Sequence, residues 1–218
     1  MRSTALFDIF GTLIDHDRAI SPYDTLLQSA PRGEGQRGRN RRLRHAIMSR
    51  PMPTMQAAAD FIAAYVREHD DADWHPPAEH VAAAERELEQ KFASCRLYEG
   101  AGGLLTALRN EGWQIALISN LATPYYRPIE RLGLRKLADV VIGSCDAGCC
   151  KPDSRIFHRA LASLPAPPSR DALLMIGDHP VHDIEAAATA IGARGILVHA
   201  PGGCSLADVA HQLLTARP

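Results

Sequence analysis

The sequence lacks the features of membrane-spanning and secreted proteins. No apolar run among its 218 residues approaches the roughly 20 residues needed to span a bilayer. The segment MRSTALFDIF has no signal-peptide layout, because the charged Asp8 interrupts its only apolar run. Cysteine is scarce and odd in number, with five residues, which argues against a secreted disulfide framework. We therefore expect a cytoplasmic protein that does not enter a membrane.

A global charge imbalance is missing as well. The chain has 24 basic and 25 acidic residues and a formal net charge of −1, which gives no general attraction to nucleic acid or to a membrane surface. We therefore expect no nucleic-acid partner.

One segment departs from this balance. In PRGEGQRGRNRRLR, residues 31–44, a single acid, Glu34, stands among six arginines: Arg32, Arg37, Arg39, Arg41, Arg42 and Arg44. The simplest interpretation is a solvated, mobile surface loop that leads into a helix. A basic rim for an anionic substrate and an RNA-binding strip are the alternatives.

Three of the five cysteines cluster in SCDAGCCKPD, as Cys145, Cys149 and Cys150. Zinc sites usually show a second ligand pair at compatible spacing, and Cys204 alone does not supply one. We therefore predict buried thiols rather than a metal centre. Because Cys150 precedes Lys151, we expect its thiol pKa to be lowered and the thiol to be oxidisable.

Five short apolar runs predict the strands of one sheet. They cover residues 3–10, 113–119, 139–143, 172–177 and 194–200. The runs are nearly continuous rather than alternating, which is typical of strands covered on both faces. Helical patterns separate the later runs, at about 100–110, 124–132, 153–164 and 183–191. This alternation predicts an α/β fold with a doubly wound, parallel, Rossmann-like sheet.

A long helical insertion follows the first strand. TMQAAADFIAAYVREH has Thr54 as a predicted N-cap, and PPAEHVAAAERELEQKF opens with prolines suited to a helix start. Shorter helices are expected at 21–30 and 40–50. We therefore predict an all-helical subdomain over residues 16–96, inserted into an α/β domain made of residues 1–15 and 97–218.

Polar side chains follow each of the first four predicted strands. Loops at the carboxyl ends of an open parallel sheet meet around one crevice. The chain supplies these loops, in order, with Asp8 and Thr12, Ser119 and Asn120, Lys151, and finally Asp178 and Asp183. Each residue alone is common as a turn former, a helix cap or a surface residue. Their joint occurrence in this order predicts a catalytic site.

These four segments, FDIFGTLID, Ser119-Asn120, KPDSRIF and GDHPVHD, resemble the four motifs of the haloacid dehalogenase-like (HAD) hydrolase superfamily in order and spacing. The helical insertion resembles the mobile cap that the superfamily carries between its first two motifs. The superfamily includes phosphatases, dehalogenases, phosphonatases and mutases. The resemblance therefore implies a hydrolase and the fold, but it does not specify the substrate.

The resemblance implies a role for each motif residue. Asp8 would be the nucleophile that forms an aspartyl intermediate. Mg²⁺ would be held by Asp8, Asp178 and the backbone carbonyl of Phe10, an oxygen-only set that suits this ion. Lys151 would neutralise charge beside the nucleophile, and Asp183 would orient Lys151 or a metal-bound water. The oxygens of the transferred group would be bound at Ser119, with the backbone around Gly11 and Asn120, and the predicted substrate-binding set is Gly11, Thr12, Ser119 and Asn120.

Phe10 departs from the pattern of the family's phosphatases, which carry aspartate there. That second acid protonates the departing alkoxide and then activates water, and phenylalanine does neither. A halide leaves without a proton, and the family's dehalogenases carry an aromatic residue at this position. Those dehalogenases, however, carry serine and asparagine where this chain has the two acids of GDHPVHD, and two acids fit a Mg²⁺ ion held against a phosphate.

We therefore favour Mg²⁺-dependent hydrolysis of a phosphate ester or phosphoanhydride, with an anionic small-molecule substrate. Haloacid dehalogenation and a catalytically impaired binding protein are the alternatives, and phosphonate chemistry is a further one. Candidates for a replacement acid are Asp15, His16, Asp17, His179 and His182. His16 is the first choice, because an imidazole titrates near neutrality.

Overall fold

The computed structural model describes residues 2–31, 35–69 and 73–215, with the side chains of residues 170 and 171 left out. The strands in these ranges are β1 (Arg2–Phe7), β2 (Ile14–Asp15), β3 (Arg96–Leu97), β4 (Gln114–Ser119), β5 (Val140–Gly143), β6 (Pro168–Gly177) and β7 (Arg194–Leu197). Five of them form a parallel sheet of order β5-β4-β1-β6-β7, and β2 pairs with β3 in a separate antiparallel ribbon. The predicted doubly wound α/β fold is confirmed.

The described α-helices are α1 (Pro22–Ser29), α2 (Gln36–Met48), α3 (Met55–His69), α4 (Ala78–Ser94), α5 (Ala101–Asn110), α6 (Tyr126–Arg131), α7 (Leu134–Leu137), α8 (Ser144–Ala147), α9 (Ser154–Ala162), α10 (Ala186–Ile191) and α11 (Leu206–Thr215). A 3₁₀ helix covers Thr123–Tyr125 and a π-helix covers Pro180–Glu185. None of the helices in the described ranges is long and apolar enough to cross a membrane.

Helices cover both faces of the sheet, and the central strand β1 shows why. Successive side chains of a strand point to opposite faces. Ala5 and Phe7 pack into a cluster with residues of α5 and α11, whereas Leu6 packs into another with residues of α9 and α10. All three are fully buried. The second half of β1, which must fill two apolar layers, is therefore continuously apolar from Ala5 to Phe7.

The direction of the chain through the sheet reverses at β1. From β1 the chain proceeds to β4 and β5 on one side, and then to β6 and β7 on the other. Ligands of open α/β sheets bind outside the carboxyl ends of the strands at such a switch point. Asp8 directly follows β1 and Asp178 directly follows β6. The two acids therefore lie at the point where the topology creates a crevice.

The inserted helices have an apolar core of their own. Helices α1 to α4 lie between β2 and β3 and contribute most of a third buried cluster, which includes Leu26, Ile47, Ile62 and Phe92. The predicted N-cap is confirmed, because the Thr54 hydroxyl accepts a hydrogen bond from the Ala57 amide at 3.1 Å. The division of the chain into two domains at residues 16 and 96 stays a prediction.

The arginine-rich segment was predicted to be a loop up to about residue 40, and this is wrong for the part that the structure describes. Helix α2 begins at Gln36 and includes five of the six arginines. Arginine has a high helix propensity, and Arg39 is buried at 7% exposure with its guanidinium donating to the Pro31 carbonyl at 2.9 Å. Arg32 and Glu34 lie outside the described residues.

Helices α7, α8 and α11 and the ribbon of β2 and β3 were not predicted, and the start of β6 was predicted at residue 172. Helix α11 packs on α5, the short ribbon of β2 and β3 joins the two ends of the insertion, and β6 begins at Pro168. The last predicted strand, 194–200, ends at Leu197, and His199 has a positive φ of 56°. Such a backbone conformation turns the chain out of the sheet.

We predict that Arg131 fastens α6 to the end of α4. Its guanidinium donates to the carbonyls of Phe92 at 2.7 Å and Cys95 at 2.8 Å, and both of these residues are buried. Arg131→Met should lower the free energy of unfolding by about 1–2 kcal/mol, because two buried carbonyls lose a charged donor. Arg135→Met breaks an exposed ion pair with Glu130 and a cation–π contact with Tyr126 at 5.7 Å, and it should cost less, about 0.5 kcal/mol. Urea denaturation of both variants is the measurement, and equal effects would contradict the prediction.

Candidate active site

A buried lysine connects two carboxylates at the carboxyl edge of the sheet. Lys151 Nζ lies 2.6 Å from Asp8 Oδ1 and 2.6 Å from Asp183 Oδ1, and it donates a third hydrogen bond to the Ile118 carbonyl at 3.1 Å. These bonds use all three donors of an ammonium group. Asp8, Lys151 and Asp183 are 5%, 4% and 1% exposed. The structure therefore brings the three predicted catalytic residues into one ion triad.

Two hydroxyl groups complete the orientation of Asp8. Ser119 donates to Asp8 Oδ1 and Thr12 donates to Asp8 Oδ2, each at 3.2 Å. Thr12 is fully buried and Ser119 is 2% exposed. Both residues were predicted to bind the substrate, and both lie in the site. Their hydroxyl groups bind the predicted nucleophile in this structure.

Asn120 positions Lys151 through the backbone. Its side-chain amide donates to the Lys151 carbonyl at 2.9 Å, and its side-chain oxygen accepts from the Lys151 amide at 2.7 Å. This reciprocal pair fastens the loop after β5 to the loop after β4. The contact that was predicted for Asn120, a backbone contact to the substrate, is compatible with this use of its side chain.

Gly11 allows the turn after β1 to approach the fourth motif. Its φ is +96°, and a Cβ built there would lie 2.3 Å from Asp178 Oδ2. The Gly11 and Thr12 amides donate within the turn, to the carbonyls of Ile14 at 2.9 Å and Ile9 at 3.3 Å. The Gly11 amide is hydrogen-bonded inside the turn. What Gly11 contributes to the site is therefore the space for the Asp178 carboxylate.

Three carboxylates converge here. Asp8, Asp178 and Asp183 each offer an oxygen, and these oxygens lie within 4.8 Å of one another. Both oxygens of Asp183 already accept hydrogen bonds, from the lysine and from the His179 amide at 3.0 Å. The Asp178 side chain is 23% exposed. An all-oxygen set of this kind fits Mg²⁺, and Asp8 with Asp178 is the pair that the resemblance implied.

The electrostatics of the site favour an additional cation. Burial is the main cause that raises the pKa of Asp8. The positive charge of Lys151 lowers this pKa and the negative charge of Asp183 raises it, and the net result is a raised pKa. Burial also raises the pKa of Asp178, with a further contribution from Asp8. Burial alone would lower the pKa of Lys151, but the two carboxylates beside it raise it. Three carboxylates thus face one buried lysine and the exposed Arg18, and a divalent ion would offset the remaining negative charge.

Arg18 is a site residue that sequence reasoning missed. Its guanidinium, on the largely exposed side chain, lies 3.4 Å from Asp178 Oδ2. It also lines the cavity of about 330 Å³ above the triad, which we call the acidic cavity and which is lined by Asp8, Asp178 and Lys151 among others. Arg18 lies in an irregular segment before α1, where neither a motif nor a helical period indicates a function.

Phe10 lies at the boundary between this cavity and the inserted helices. Its ring contacts the rings of His16 and Tyr125 edge-on, with centroids 5.7 Å and 5.3 Å away. His16 lines the acidic cavity. Burial lowers its pKa, and the charges of Lys91 and Arg18 act in the same direction. The neutral imidazole therefore predominates at pH 7, which makes His16 a poor acid and a suitable base.

The other candidate acids differ in their surroundings. Asp15 pairs with Arg96 and Asp17 accepts from the Ala19 amide, so both belong to the connection into the insertion. His179 and His182 line the acidic cavity and stack on each other with centroids 4.0 Å apart, at the start of the π-helix. Such π-helical turns are frequent at functional sites.

The cysteine predictions are partly confirmed. All five thiols are free, and Cys145, Cys149 and Cys150 are buried. The expectation that Lys151 would lower the pKa of Cys150 is wrong. Burial raises the pKa of this thiol, and the ammonium of Lys151 is directed at two carboxylates instead.

The comparison with known families agrees with this geometry. Residues 3–190 match the family model described as haloacid dehalogenase-like hydrolase. The chain belongs to this family. It is therefore a HAD-like hydrolase, and the segment that matches extends from β1 to α10 and includes all four motifs.

Among its curated relatives, the HAD-like hydrolase is 35% identical over 127 residues to haloacid dehalogenase-like hydrolase domain-containing protein 3 from Bos taurus, over 57% of this chain and 49% of that one. It is also 33% identical over 110 residues to glyceraldehyde 3-phosphate phosphatase from Methanothermobacter thermautotrophicus. This match covers 50% of this chain and 47% of the relative. These matches span about half the length of each relative. A solved 2-haloacid dehalogenase from Pseudomonas syringae covers the whole of both chains, with a TM-score of 0.64 and 22% identity, and shows the shared fold.

We predict that Gly11→Ala weakens Mg²⁺ binding. A methyl group at this position would collide with the Asp178 carboxylate and would also hold an unfavourable φ, so Asp178 must move. We expect Mg²⁺ affinity, measured by calorimetry, to fall by at least about tenfold, an energy of about 1.4 kcal/mol. Gly103→Ala is the matched control, because this exposed position in α5 has open space around it. Unchanged affinity in Gly11→Ala would remove Asp178 from the metal site.

Proposed function

We propose that this HAD-like hydrolase is a Mg²⁺-dependent phosphatase with Asp8 as its nucleophile. The observation that carries the proposal is the group of three converging carboxylates around one buried lysine. Displacement of a halide from carbon needs no cation, whereas phosphoryl transfer needs positive charge beside the reacting phosphate. The phosphatase relative supports the same class of reaction.

The chemistry follows from the contacts of Asp8. One carboxylate oxygen attacks phosphorus, the new oxygen–phosphorus bond forms, and the bond to the leaving group breaks with its electron pair on the departing oxygen. Lys151 and the Ser119 hydroxyl hold Asp8 Oδ1, so the carboxylate is oriented before the substrate arrives. Asp183 keeps the lysine in place. Mg²⁺, held by Asp8, Asp178 and the Phe10 carbonyl, would supply charge neutralisation for the phosphate.

Phe10 limits the leaving group. Its ring cannot donate a proton, and the neutral state of His16 makes a replacement acid scarce. Removal of a general acid typically costs a hundredfold to ten-thousandfold in rate. Leaving groups that depart as stable anions, such as phenolates and carboxylates, therefore suit this site better than alkoxides.

The second half of the reaction needs a base rather than an acid. Water must attack phosphorus to release phosphate from Asp8, and it must lose a proton as it does so. His16 lines the same cavity as Asp8, and burial favours its neutral form. We assign to it the activation of this water.

A second candidate function rests on Phe10 itself. An aromatic residue in this position is compatible with halide displacement from a 2-haloacid. Halide release that persists in EDTA, together with no phosphatase activity on sugar, acyl and aryl phosphates, would favour this alternative. Phosphatase activity that is lost in EDTA and restored by Mg²⁺ would favour the proposed function.

We predict that Asp8→Asn abolishes turnover and preserves the fold. An amide does not attack phosphorus, and Lys151 keeps its contact with Asp183 in the variant. Hydrolysis of p-nitrophenyl phosphate, with circular dichroism for the fold, is the measurement. Asp153→Asn makes the same chemical change at the exposed N-cap of α9, where asparagine caps equally well, and should retain full activity. Turnover by a folded Asp8→Asn protein would contradict covalent catalysis on Asp8.

We predict that Phe10→Asp raises the hydrolysis of alkyl phosphates relative to aryl phosphates. A carboxyl group beside an intact Asp8 and Lys151 supplies the missing proton, and we expect a relative gain of roughly tenfold to a thousandfold in kcat/KM. Phe10→Asn is the matched control, because it removes the same ring without adding an acid. The ring is half-buried, so both variants should lose some stability. Equal behaviour of the two variants would show that position 10 does not control proton donation.

A further inference from the structure

A second cavity adjoins the acidic cavity beneath the inserted helices. It has a volume of about 240 Å³, and we call it the aromatic cavity. Phe10, His16, Arg18 and Asn120 line both cavities, so the two spaces share a wall beside the reacting centre. A cavity of about 150 Å³ accommodates benzene. The aromatic cavity thus has room for one ring that carries a substituent.

The walls of this cavity present flat aromatic surfaces. Phe10 and Tyr125 meet edge-on with ring centroids 5.3 Å apart, and Tyr23 and Tyr125 stack with centroids 6.5 Å apart. Aromatic rings attract one another in edge-on and offset-stacked arrangements, and a ligand ring could meet these walls in the same way. The shape and chemistry of the walls therefore suit an aromatic leaving group.

One wall contains a buried hydroxyl group without a partner. Tyr23 lies in α1 at 8% exposure, and among the described residues its hydroxyl makes no hydrogen bond. Burial raises the pKa of this phenol, so the group remains a donor. Buried polar groups in proteins are nearly always hydrogen-bonded, and an unsatisfied one is costly. A hydroxyl left in this state at a cavity wall points to an acceptor on a ligand.

The same cavity contains a buried ammonium group. Lys91 lies in α4 at 5% exposure and donates to the backbone carbonyls of Asp17 and Ile20, the second at 2.9 Å. Among the described residues no carboxylate lies within ion-pair distance of its Nζ. Buried charges are normally paired. An ammonium group has three donors, so one remains for an anion in the cavity.

We propose that the substrate is the phosphate monoester of a phenol with an acidic substituent. The ring occupies the aromatic cavity, and the acidic group accepts from the Tyr23 hydroxyl and the Lys91 ammonium. This assignment rests on the proposed phosphatase function and deepens it. The phenolate leaves with the electron pair of its bond to phosphorus and needs no proton, which removes the need for an acid at Phe10.

The test compares two aryl phosphates of the same shape. We expect Tyr23→Phe to lower kcat/KM for 4-carboxyphenyl phosphate by about tenfold to a hundredfold, chiefly through KM, because a donor to a charged group is lost. The loss for the neutral 4-carbamoylphenyl phosphate should be smaller. The melting temperature should stay the same or rise, since the hydroxyl accepts or donates no hydrogen bond among the residues that the structure describes. An unchanged preference between the two substrates would overturn the assignment and leave the phosphatase function intact.

A binding measurement separates this assignment from the chemistry. We expect the wild-type protein to bind 4-hydroxybenzoate at least tenfold more tightly than 4-hydroxybenzamide in calorimetry. Tyr23→Phe and Lys91→Met should each remove most of this difference. If no phosphate ester is hydrolysed but this pattern appears, the phosphatase proposal fails and the anion site in the aromatic cavity stands. Equal binding of the two ligands by the wild-type protein would overturn the anion site.

Discussion

The ammonium group of Lys151 between two buried carboxylates is the interaction on which the active site depends. Burying an ion costs several kcal/mol, and breaking a buried pair leaves an uncompensated charge. Lys151 avoids this cost through Asp8, Asp183 and the Ile118 carbonyl. Asp8 follows β1, Asp183 lies in the π-helix after β6, and Ile118 lies in β4, so the triad forms only when the sheet has the correct strand order. The contact of Lys151 with Asp8 and Asp183 therefore depends on the fold, and it also orients the residues of the proposed reaction.

The close approach of the first and fourth motifs is a second constraint. Gly11 at a positive φ and without a Cβ lets Asp178 come near Asp8, and Gly177 similarly admits Asp183, whose Oδ2 would lie 2.4 Å from a Cβ there. The result is a concentration of negative charge that one buried lysine does not balance, with only the exposed Arg18 beside Asp178. This surplus connects the backbone geometry to the Mg²⁺ dependence that we propose, and it is the feature that separates the proposed function from dehalogenation.

The sheet and the triad could be predicted from the sequence, because both follow from where residues lie relative to the predicted strands. Asp8 lies at the carboxyl end of the first predicted strand, and Lys151 and Asp183 lie in the segments that follow the third and the fourth. Parallel topology brings such positions together at one edge of the sheet. The residues of the aromatic cavity could not be found in this way. Tyr23 and Lys91 lie on amphipathic helices, where their spacing is that of ordinary surface or core residues. Only the packing of α1 against α4 shows that, within the described part of the chain, the Tyr23 hydroxyl has no hydrogen-bond partner and the Lys91 ammonium has no carboxylate beside it.

In the proposed mechanism, Asp8 attacks phosphorus while Phe10 leaves the departing oxygen without a proton donor. The most direct measurement is the single-turnover rate of the wild-type protein on a series of substituted phenyl phosphates whose phenols differ in pKa. We expect the logarithm of this rate to fall steadily as the pKa of the phenol rises, because negative charge develops on an oxygen that receives no proton. A rate of phosphoryl transfer that does not depend on the phenol pKa would show that a general acid is present and would contradict this mechanism.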